Sequence, residues 1–147
     1  MKIAIGCDPN AEDMKLHIAE YVRGLGHEVV DYGSKDPIYA NVAFAVGEAV
    51  AAGKADRGIL FCGTGLGVML AANKVRGCYA AVVGDVYSAQ RACLSNNCNV
   101  ITIGSQVTGI KIAETVVKEY LSCTYEYNER SGEKVDAIVK YAEQHCR

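Results

Sequence analysis

The chain alternates short apolar runs with longer segments in which apolar residues recur every three to four positions. The apolar runs predict strands at residues 3–7, 28–32, 58–62, 78–83 and 100–103. The helical spacing predicts helices at residues 11–24, 42–52, 66–75, 86–94 and 110–121. Strands that are apolar throughout and alternate with helices form parallel sheets covered by helices on both faces. We therefore expect an α/β fold, a Rossmann-like three-layer sandwich of about five parallel strands.

A polar connector separates this predicted core, about residues 1–123, from a last helix. The connector and the helix occupy about residues 124–147, and the whole chain is expected to be one domain. One face of the helix carries apolar residues, namely Val135, Ile138, Val139 and Ala142. Such a face needs a surface to cover, and the sequence leaves open whether that surface lies on the same domain or on a partner subunit.

Composition narrows the classes of partner. Half of the 147 residues are hydrophobic, 22% are charged and the formal net charge is −2. These values favour neither a disordered chain nor a nucleic-acid-binding one, so we expect a small-molecule partner. No apolar run reaches the length of about 18 residues that a membrane helix needs, and the N-terminus lacks the pattern of a signal peptide. We therefore expect a cytoplasmic protein without membrane contact.

The cysteines do not predict a disulfide framework or a metal site. Their number is odd and none forms a C-x-x-C pair. They are Cys7, Cys62, Cys78, Cys93, Cys98, Cys123 and Cys146. We expect no bound metal and no disulfide-stabilised core.

A glycine-rich turn follows the third predicted strand. Cys62 ends the strand, and Gly63-Thr64-Gly65-Leu66-Gly67 leads directly into the next predicted helix. Backbone N–H groups of such a turn can converge on a small anion such as a phosphate or an enolate oxygen. A thiolate is also favoured at this position. Cys62 is therefore either a reactive group directed at the turn or a small buried residue that happens to end a strand.

Other candidate residues lie in loops next to the strands. Ligands of parallel sheets bind beyond the carboxyl ends of the strands, where Asp8 follows the first one. Asp8 can bind a substrate hydroxyl or cap the following helix. Asn96 belongs to an amide-rich loop before the fifth strand, and its type suits either hydroxyl recognition or a turn.

Several segments together resemble one family of enzymes. They are "MKIAIGCD" at the start, "FCGTGLGVMLAANKVRG" (61–77), "YSAQRA" (87–92), "NNCNVITIGSQVTG" (96–109) and the pair Arg130 and Lys134. They resemble the ribose-5-phosphate isomerase B and galactose-6-phosphate isomerase family nearly from end to end. The resemblance implies that the chain interconverts aldose and ketose phosphates through a cis-enediolate, without a metal or other cofactor. It also implies a homodimer or tetramer with active sites shared between subunits.

The resemblance assigns roles to individual residues. Cys62 would be the base that moves a proton between C1 and C2 of the sugar, and Thr64 would order the turn. Asp8 and Asn96 would bind sugar hydroxyls, and Arg130 and Lys134 of a neighbouring subunit would bind phosphate. The implied substrate-binding residues are, together, Asp8, Pro9, Tyr39, Gly63, Gly65, Leu66, Gly67, Asn96, Gln106, Arg130 and Lys134.

The chain departs from the family pattern at four of its candidate positions. Pro9 stands where the family usually has a histidine, and Gln106 where it usually has an arginine. Lys134 replaces the second late arginine, and a lysine is a point charge without the bidentate fork of a guanidinium. Ser95 stands in place of the histidine credited with opening the sugar ring. Recognition of the substrate is therefore expected to differ from that of the family.

Ser95 suggests a substrate that does not need ring opening. Ribose 5-phosphate closes to a furanose and benefits from an acid/base group that opens it, whereas a tetrose 4-phosphate has O4 esterified and stays open. One hypothesis is isomerisation of erythrose 4-phosphate and erythrulose 4-phosphate. The alternative is an ordinary ribose-5-phosphate isomerase in which Ser95, water or spontaneous opening suffices. A third possibility is a non-catalytic partner subunit or a sugar-phosphate sensor of the same fold.

Overall fold

Five parallel strands form one sheet in the computed structural model, which describes residues 1–145. Their order across the sheet is β2-β1-β3-β5-β4, and every neighbouring pair is parallel. The strands are β1 (Lys2–Cys7), β2 (Glu28–Asp31), β3 (Arg57–Cys62), β4 (Ala80–Val82) and β5 (Val100–Gly104). The expected number and direction of the strands are confirmed.

Helices cover both faces of the sheet. They are α1 (Glu12–Gly24), α2 (Tyr39–Ala51), α3 (Leu66–Ala72), α4 (Val86–Leu94), α5 (Ile110–Ser122) and α6 (Gly132–His145). A short 3₁₀ turn, Pro9–Ala11, precedes α1. Helices α1, α4 and α5 pack on one face, and α2 and α3 pack on the other. This is the expected Rossmann-like three-layer arrangement.

Alternating side chains of the central strands supply the two cores. Ile5 and Phe61 point into the core beneath α1 and α5, whereas Leu60 and Cys62 point into the core beneath α2 and α3. All four are buried, because helices cover both faces of the sheet and leave neither face of these strands exposed to solvent. Cys62 is thus the last residue of β3 on the α2–α3 side.

Two elements begin earlier than the apolar pattern predicts. Helix α2 begins at Tyr39 and not at residue 42, because the Asp36 carboxylate accepts from the backbone N–H of Ile38 and the side chain of Asn41. Helix α6 begins at Gly132, because Oδ1 of Asn128 accepts from the Ser131 N–H at 3.0 Å and the Asn128 carbonyl accepts from the Gly132 N–H at 2.7 Å. In both places polar side chains organise the first turn, and hydrophobic spacing does not reveal them.

Strand β4 is shorter than predicted and spans Ala80–Val82. The Asn73 side chain accepts from the N–H of Ala80 and donates to its carbonyl, at 2.7 and 2.9 Å. Asn99 holds Tyr79, the residue before β4, because its Oδ1 accepts from the Tyr79 N–H. Side-chain amides therefore replace strand pairing at this edge of the sheet.

Helix α6 covers little of its own chain. Val135 is buried, but Ile138 is 53% exposed and Tyr141 is 64% exposed. The predicted apolar face therefore stays largely open within this chain.

The six cysteines described are free, and Cys146 lies outside the described residues, with Arg147. Among the described helices, none is long and apolar enough to cross a bilayer.

Close packing of α2 on the sheet predicts the effect of one substitution. A Cβ at Gly58 would lie 2.8 Å from Val46 Cγ1 and 2.9 Å from Val100 Cγ2, both in the core. We expect Gly58→Ala to lower the free energy of unfolding by about 1–3 kcal/mol through overpacking, measured by urea denaturation. Gly24→Ala is the matched control, because no atom lies within 4 Å of the added methyl group. Equal unfolding midpoints for the two variants would contradict this account.

Candidate active site

The carboxyl ends of β1, β3 and β5 lie side by side. Cys7 pairs with Phe61 across β1 and β3, so the next residues, Asp8 and Cys62, are neighbours at this edge. Cys62 pairs in turn with Gly104 of β5. Strand β2 lies on one side of β1, and β3 lies on the other. The connections that leave β1 and β3 therefore run in opposite directions across the sheet, and Asp8 and Cys62 lie where they diverge. Parallel sheets bind ligands at such a point.

Cys62 is buried but has a polar partner. Its side chain is 6% exposed, and its Sγ accepts from the backbone N–H of Gly65 at 3.1 Å. The sulfur therefore occupies a core position while it faces the glycine turn. A sulfur held against a backbone donor is suited to exchange a proton with a molecule bound in that turn.

The turn is held in one conformation from two sides. Gly65 has a φ of +80°, a left-handed conformation that favours glycine, and it is the residue before α3. Its carbonyl accepts from the hydroxyl of Thr102, which is fully buried on β5, at 2.7 Å. The Thr64 hydroxyl accepts from the N–H of Leu66 at 3.3 Å. These bonds orient the successive N–H groups of the turn.

The remaining glycines allow two side chains to lie against the turn. A Cβ at Gly67 would lie 2.6 Å from Cζ of Tyr39, and a Cβ at Gly63 would lie 3.1 Å from Oε1 of Gln106. Tyr39 and Gln106 therefore contact the turn directly, as expected for residues that line a pocket around it. The Gln106 N–H also donates to the Gly63 carbonyl.

Asp8 acts as a cap and also lies beside Cys62. Its Oδ1 accepts from the N–H of Asn10 at 2.9 Å, which closes the 3₁₀ turn that begins at Pro9. The carboxylate is partly exposed, at the same edge of the sheet where β3 ends with Cys62. The two roles open to Asp8 are therefore compatible. We call the group formed by Asp8, Pro9, Tyr39, Cys62, Gly63–Gly67 and Gln106 the Cys62 site.

The other predicted site residues lie at the opposite end of the sheet. Ser95 and Asn96 follow the C-terminus of α4, which returns the chain to the start of β5. Arg130 and Lys134 lie beyond the C-terminus of α5. A strand of five or six residues rises about 3.3 Å per residue, so about 16 Å or more separates the two ends of the sheet. One chain therefore does not bring these residues to its own Cys62.

Ser95, Asn96, Arg130 and Lys134 instead line one cleft of about 610 Å³, which we call the cationic cleft. No residue of the Cys62 site lines it. Asn96 uses its side-chain N–H₂ to cap α4, since Nδ2 donates to the Arg91 carbonyl at 3.0 Å.

Arg91 also lines the cationic cleft, and the sequence analysis gave it no role. Its Nη1 donates to Ser95 Oγ at 3.3 Å. Ser95 comes directly after the predicted helix 86–94 and four residues after Arg91. This spacing could have revealed the pair, because residues four apart share one face of a helix.

Three of the other cysteines are buried thiols of the core and its border. Burial raises the pKa of Cys7 and of Cys78 to about 12 and that of Cys98 to about 11. These thiols stay protonated at neutral pH and act as small core residues. Among residues 1–145, no cluster of three or more His, Cys, Asp or Glu side chains is arranged to hold a metal ion.

Comparison with known proteins shows the family of this chain. A family model described as ribose/galactose isomerase matches residues 3–138. A D-erythrulose-4-phosphate isomerase of Pectobacterium atrosepticum is 42% identical over 98% of this chain and 97% of the relative. The ribose-5-phosphate isomerase B of Escherichia coli is 41% identical over 94% of each chain.

A solved structure extends the similarity to the whole fold. The ribose-5-phosphate isomerase B of Clostridium thermocellum has a TM-score of 0.92 and 34% identity, and the match covers 99% of both chains. The predicted resemblance is therefore confirmed. The chain belongs to the ribose/galactose isomerase family of sugar-phosphate aldose–ketose isomerases.

Proposed function

We propose that this protein interconverts an aldose phosphate and a ketose phosphate, with Cys62 as the proton-transfer base. The Cys62 thiolate takes the proton from C2 of the aldose to form the cis-enediolate. The resulting thiol returns the proton to C1, and the hydroxyl proton moves from O2 to O1, which gives the ketose. The observation that carries this proposal is the Sγ of Cys62 held 3.1 Å from the Gly65 N–H, in the glycine turn that leads into α3. No metal or other cofactor takes part in this scheme.

The backbone of the turn would stabilise the charge that develops on the substrate. A proton next to a carbonyl is weakly acidic, so preorganised donors at the oxygen have to contribute about 3–4 kcal/mol each. Within residues 63–67, the N–H groups of Gly65 and Leu66 already donate to Cys62 Sγ and to Thr64 Oγ1, so the other N–H groups of the turn are the candidates. Thr64 and Thr102 hold the turn in its conformation. Asp8 and Tyr39 would bind or enclose the sugar, and Pro9 and Gln106 would border its phosphate end.

We propose further that two copies of the chain complete each active site, in a homodimer or in a tetramer made of two such dimers. The distance between the Cys62 site and the cationic cleft supports this arrangement, because one chain cannot use both on one small substrate. Exposed apolar side chains near the Cys62 site, Leu66, Leu70 and Val107, offer a surface for the partner. Arg130 and Lys134 of one copy would then bind the phosphate of a sugar held at Cys62 of the other.

A four-carbon sugar phosphate is the substrate we favour. Ser95 has no imidazole to exchange protons with a ring oxygen, and a tetrose 4-phosphate forms no furanose. The similarity to an enzyme named for D-erythrulose 4-phosphate points the same way. Erythrose 4-phosphate and erythrulose 4-phosphate are therefore the proposed pair, and the cytoplasm, where charged sugar phosphates are retained, is the proposed location.

Removal of the Cys62 thiol tests the chemistry. We expect Cys62→Ala to lower kcat by a factor of about 10²–10⁴, because general base catalysis contributes that much. The assay is turnover on a panel of aldose and ketose phosphates of four to six carbons. Cys78→Ala is the matched control, since Cys78 is buried in the same core and lies outside both sites. Turnover that survives in Cys62→Ala would refute the proposed base, and no turnover by the wild type would favour the sensor or partner subunit.

Mixing two inactive variants tests whether sites are shared. A dimer of Cys62→Ala with the double variant Arg130→Gln/Lys134→Gln contains one site with both groups intact, if each site draws on two chains. After unfolding and refolding an equal mixture, we expect about a quarter of the wild-type activity, because half of the dimers are mixed. If Cys62 and the two cations acted within one chain, every site would lack one group. The mixture would then show no recovery.

The residue at position 95 tests the substrate. If ring opening limits turnover of ribose 5-phosphate, Ser95→His supplies the missing acid/base group and raises kcat/KM for that sugar by about tenfold or more. Activity on erythrose 4-phosphate should not gain, because that substrate has no ring to open. Unchanged or lower activity on ribose 5-phosphate would remove ring opening as the reason for the serine.

A further inference from the structure

Arg91 is held rigidly on the wall of the cationic cleft. Its Nη1 donates to Ser95 Oγ at 3.3 Å, and its Nη2 donates to Gln90 Oε1 at 3.2 Å. The guanidinium carbon lies 5.7 Å from the centre of the Tyr87 ring, within the range of a cation–π contact. Gln90 is fixed in turn, since its Nε2 donates to Glu119 Oε1 at 3.0 Å. A chain of hydrogen bonds thus runs from α5 to Ser95 and orients the arginine.

One donor of this arginine has no partner. The Nε–H of Arg91 is buried and makes no hydrogen bond to any of the residues 1–145. Buried donors without partners are rare, because no hydrogen bond compensates for the free energy lost when the donor leaves water. The guanidinium that lines the cleft therefore keeps a hydrogen-bond donor that its contacts with residues 1–145 leave unused.

The charge around the cleft favours an anion. Arg91, Arg130 and Lys134 line it together with a single acidic side chain, Glu126. Arg130 and Lys134 are exposed on the connector and on α6, whereas Arg91 is partly buried on α4. Arg91 is therefore the cation that meets a ligand deeper in the cleft, with its orientation already set.

The Arg91–Ser95 pair can donate hydrogen bonds but cannot take up a proton. A guanidinium is always protonated, and the Ser95 oxygen already accepts from it, so the hydroxyl proton is left to donate. The opening of a furanose requires a group that exchanges protons with the ring oxygens. The pair is suited instead to an oxygen that only accepts, as phosphate and phosphoester oxygens do.

We propose, on the basis of the isomerase activity proposed above, that Arg91 binds the terminal phosphate of the substrate and selects sugars that carry this phosphate on C4. In a tetrose 4-phosphate, O4 is an ester oxygen that only accepts. In ribose 5-phosphate, O4 is the ring oxygen and must gain a proton when the ring opens.

Steady-state kinetics of Arg91→Gln tests this role. We expect KM for erythrose 4-phosphate to rise by a factor of about 10–100, because a charge-assisted hydrogen bond is lost. Because Cys62 is unaffected, kcat should change by less than about threefold. Arg91→Lys keeps the positive charge but lacks the two-pronged guanidinium, so its KM should lie between those of the wild type and Arg91→Gln. Arg23→Gln is the matched control, because Arg23 is exposed on α1 and lines no part of the cleft.

Binding of inorganic phosphate separates this role from turnover. Calorimetry on Cys62→Ala and on Cys62→Ala/Arg91→Gln should give a Kd about 10–100 times weaker for the second protein. Thermal unfolding of each variant verifies that it is folded, and Arg91→Lys replaces Arg91→Gln if the latter is not.

The outcomes distinguish the two proposals. An unchanged KM and an unchanged Kd for phosphate in Arg91→Gln would overturn the role of Arg91 while the isomerase activity stands. A fall in kcat alone would also overturn it, because the arginine would then act on the chemical step. If the wild type turned over no sugar phosphate but lost phosphate affinity with Arg91, the proposed activity would fail and the anion site would remain.

Discussion

The register of three neighbouring parallel strands determines where chemistry can occur in this protein. Because Cys7 pairs with Phe61 and Cys62 pairs with Gly104, the loops that leave β1, β3 and β5 emerge side by side. The register is strongly specified, since both faces of these strands are buried and a shift of one residue would exchange the two cores. The glycine turn, the Asp8 cap and the loop of Gln106 depend on that alignment for their contacts.

The same sheet separates two groups of polar residues that the candidate chemistry needs together. Each helix that follows a parallel strand returns the chain to the amino end of the sheet. The residues after α4 and α5 therefore lie far from the carboxyl ends of the strands. Ser95, Arg130 and Lys134 therefore share the cationic cleft, away from Cys62. The proposed assembly of two copies follows from this separation, and it gives the exposed face of α6 and the exposed residues of α3 a reason to be apolar.

Much of the fold is predictable from hydrophobic spacing alone. Among the described residues, the five strands and six helices all occur where the pattern predicts them. The signal is clearest at β1, β3 and β5, because burial on both faces leaves an almost continuous apolar run there. The errors lie at the ends of elements, where polar side chains decide the outcome. Asp36 starts α2 early, Asn128 starts α6 early, and Asn99 holds Tyr79 just before β4. These contacts join residues whose partners are not evident from periodicity.

The sequence by itself determined the fold class, the turn after Cys62 and, through its motifs, the family. These features are local, because each depends on residues that are neighbours along the chain or recur with a regular period. Only the tertiary structure decided that Tyr39 and Gln106 contact that turn, that Thr102 orients it, and that Arg91 joins Ser95 in a cleft away from Cys62. Such contacts connect residues distant in sequence, and their geometry follows from how helices and strands pack and not from spacing.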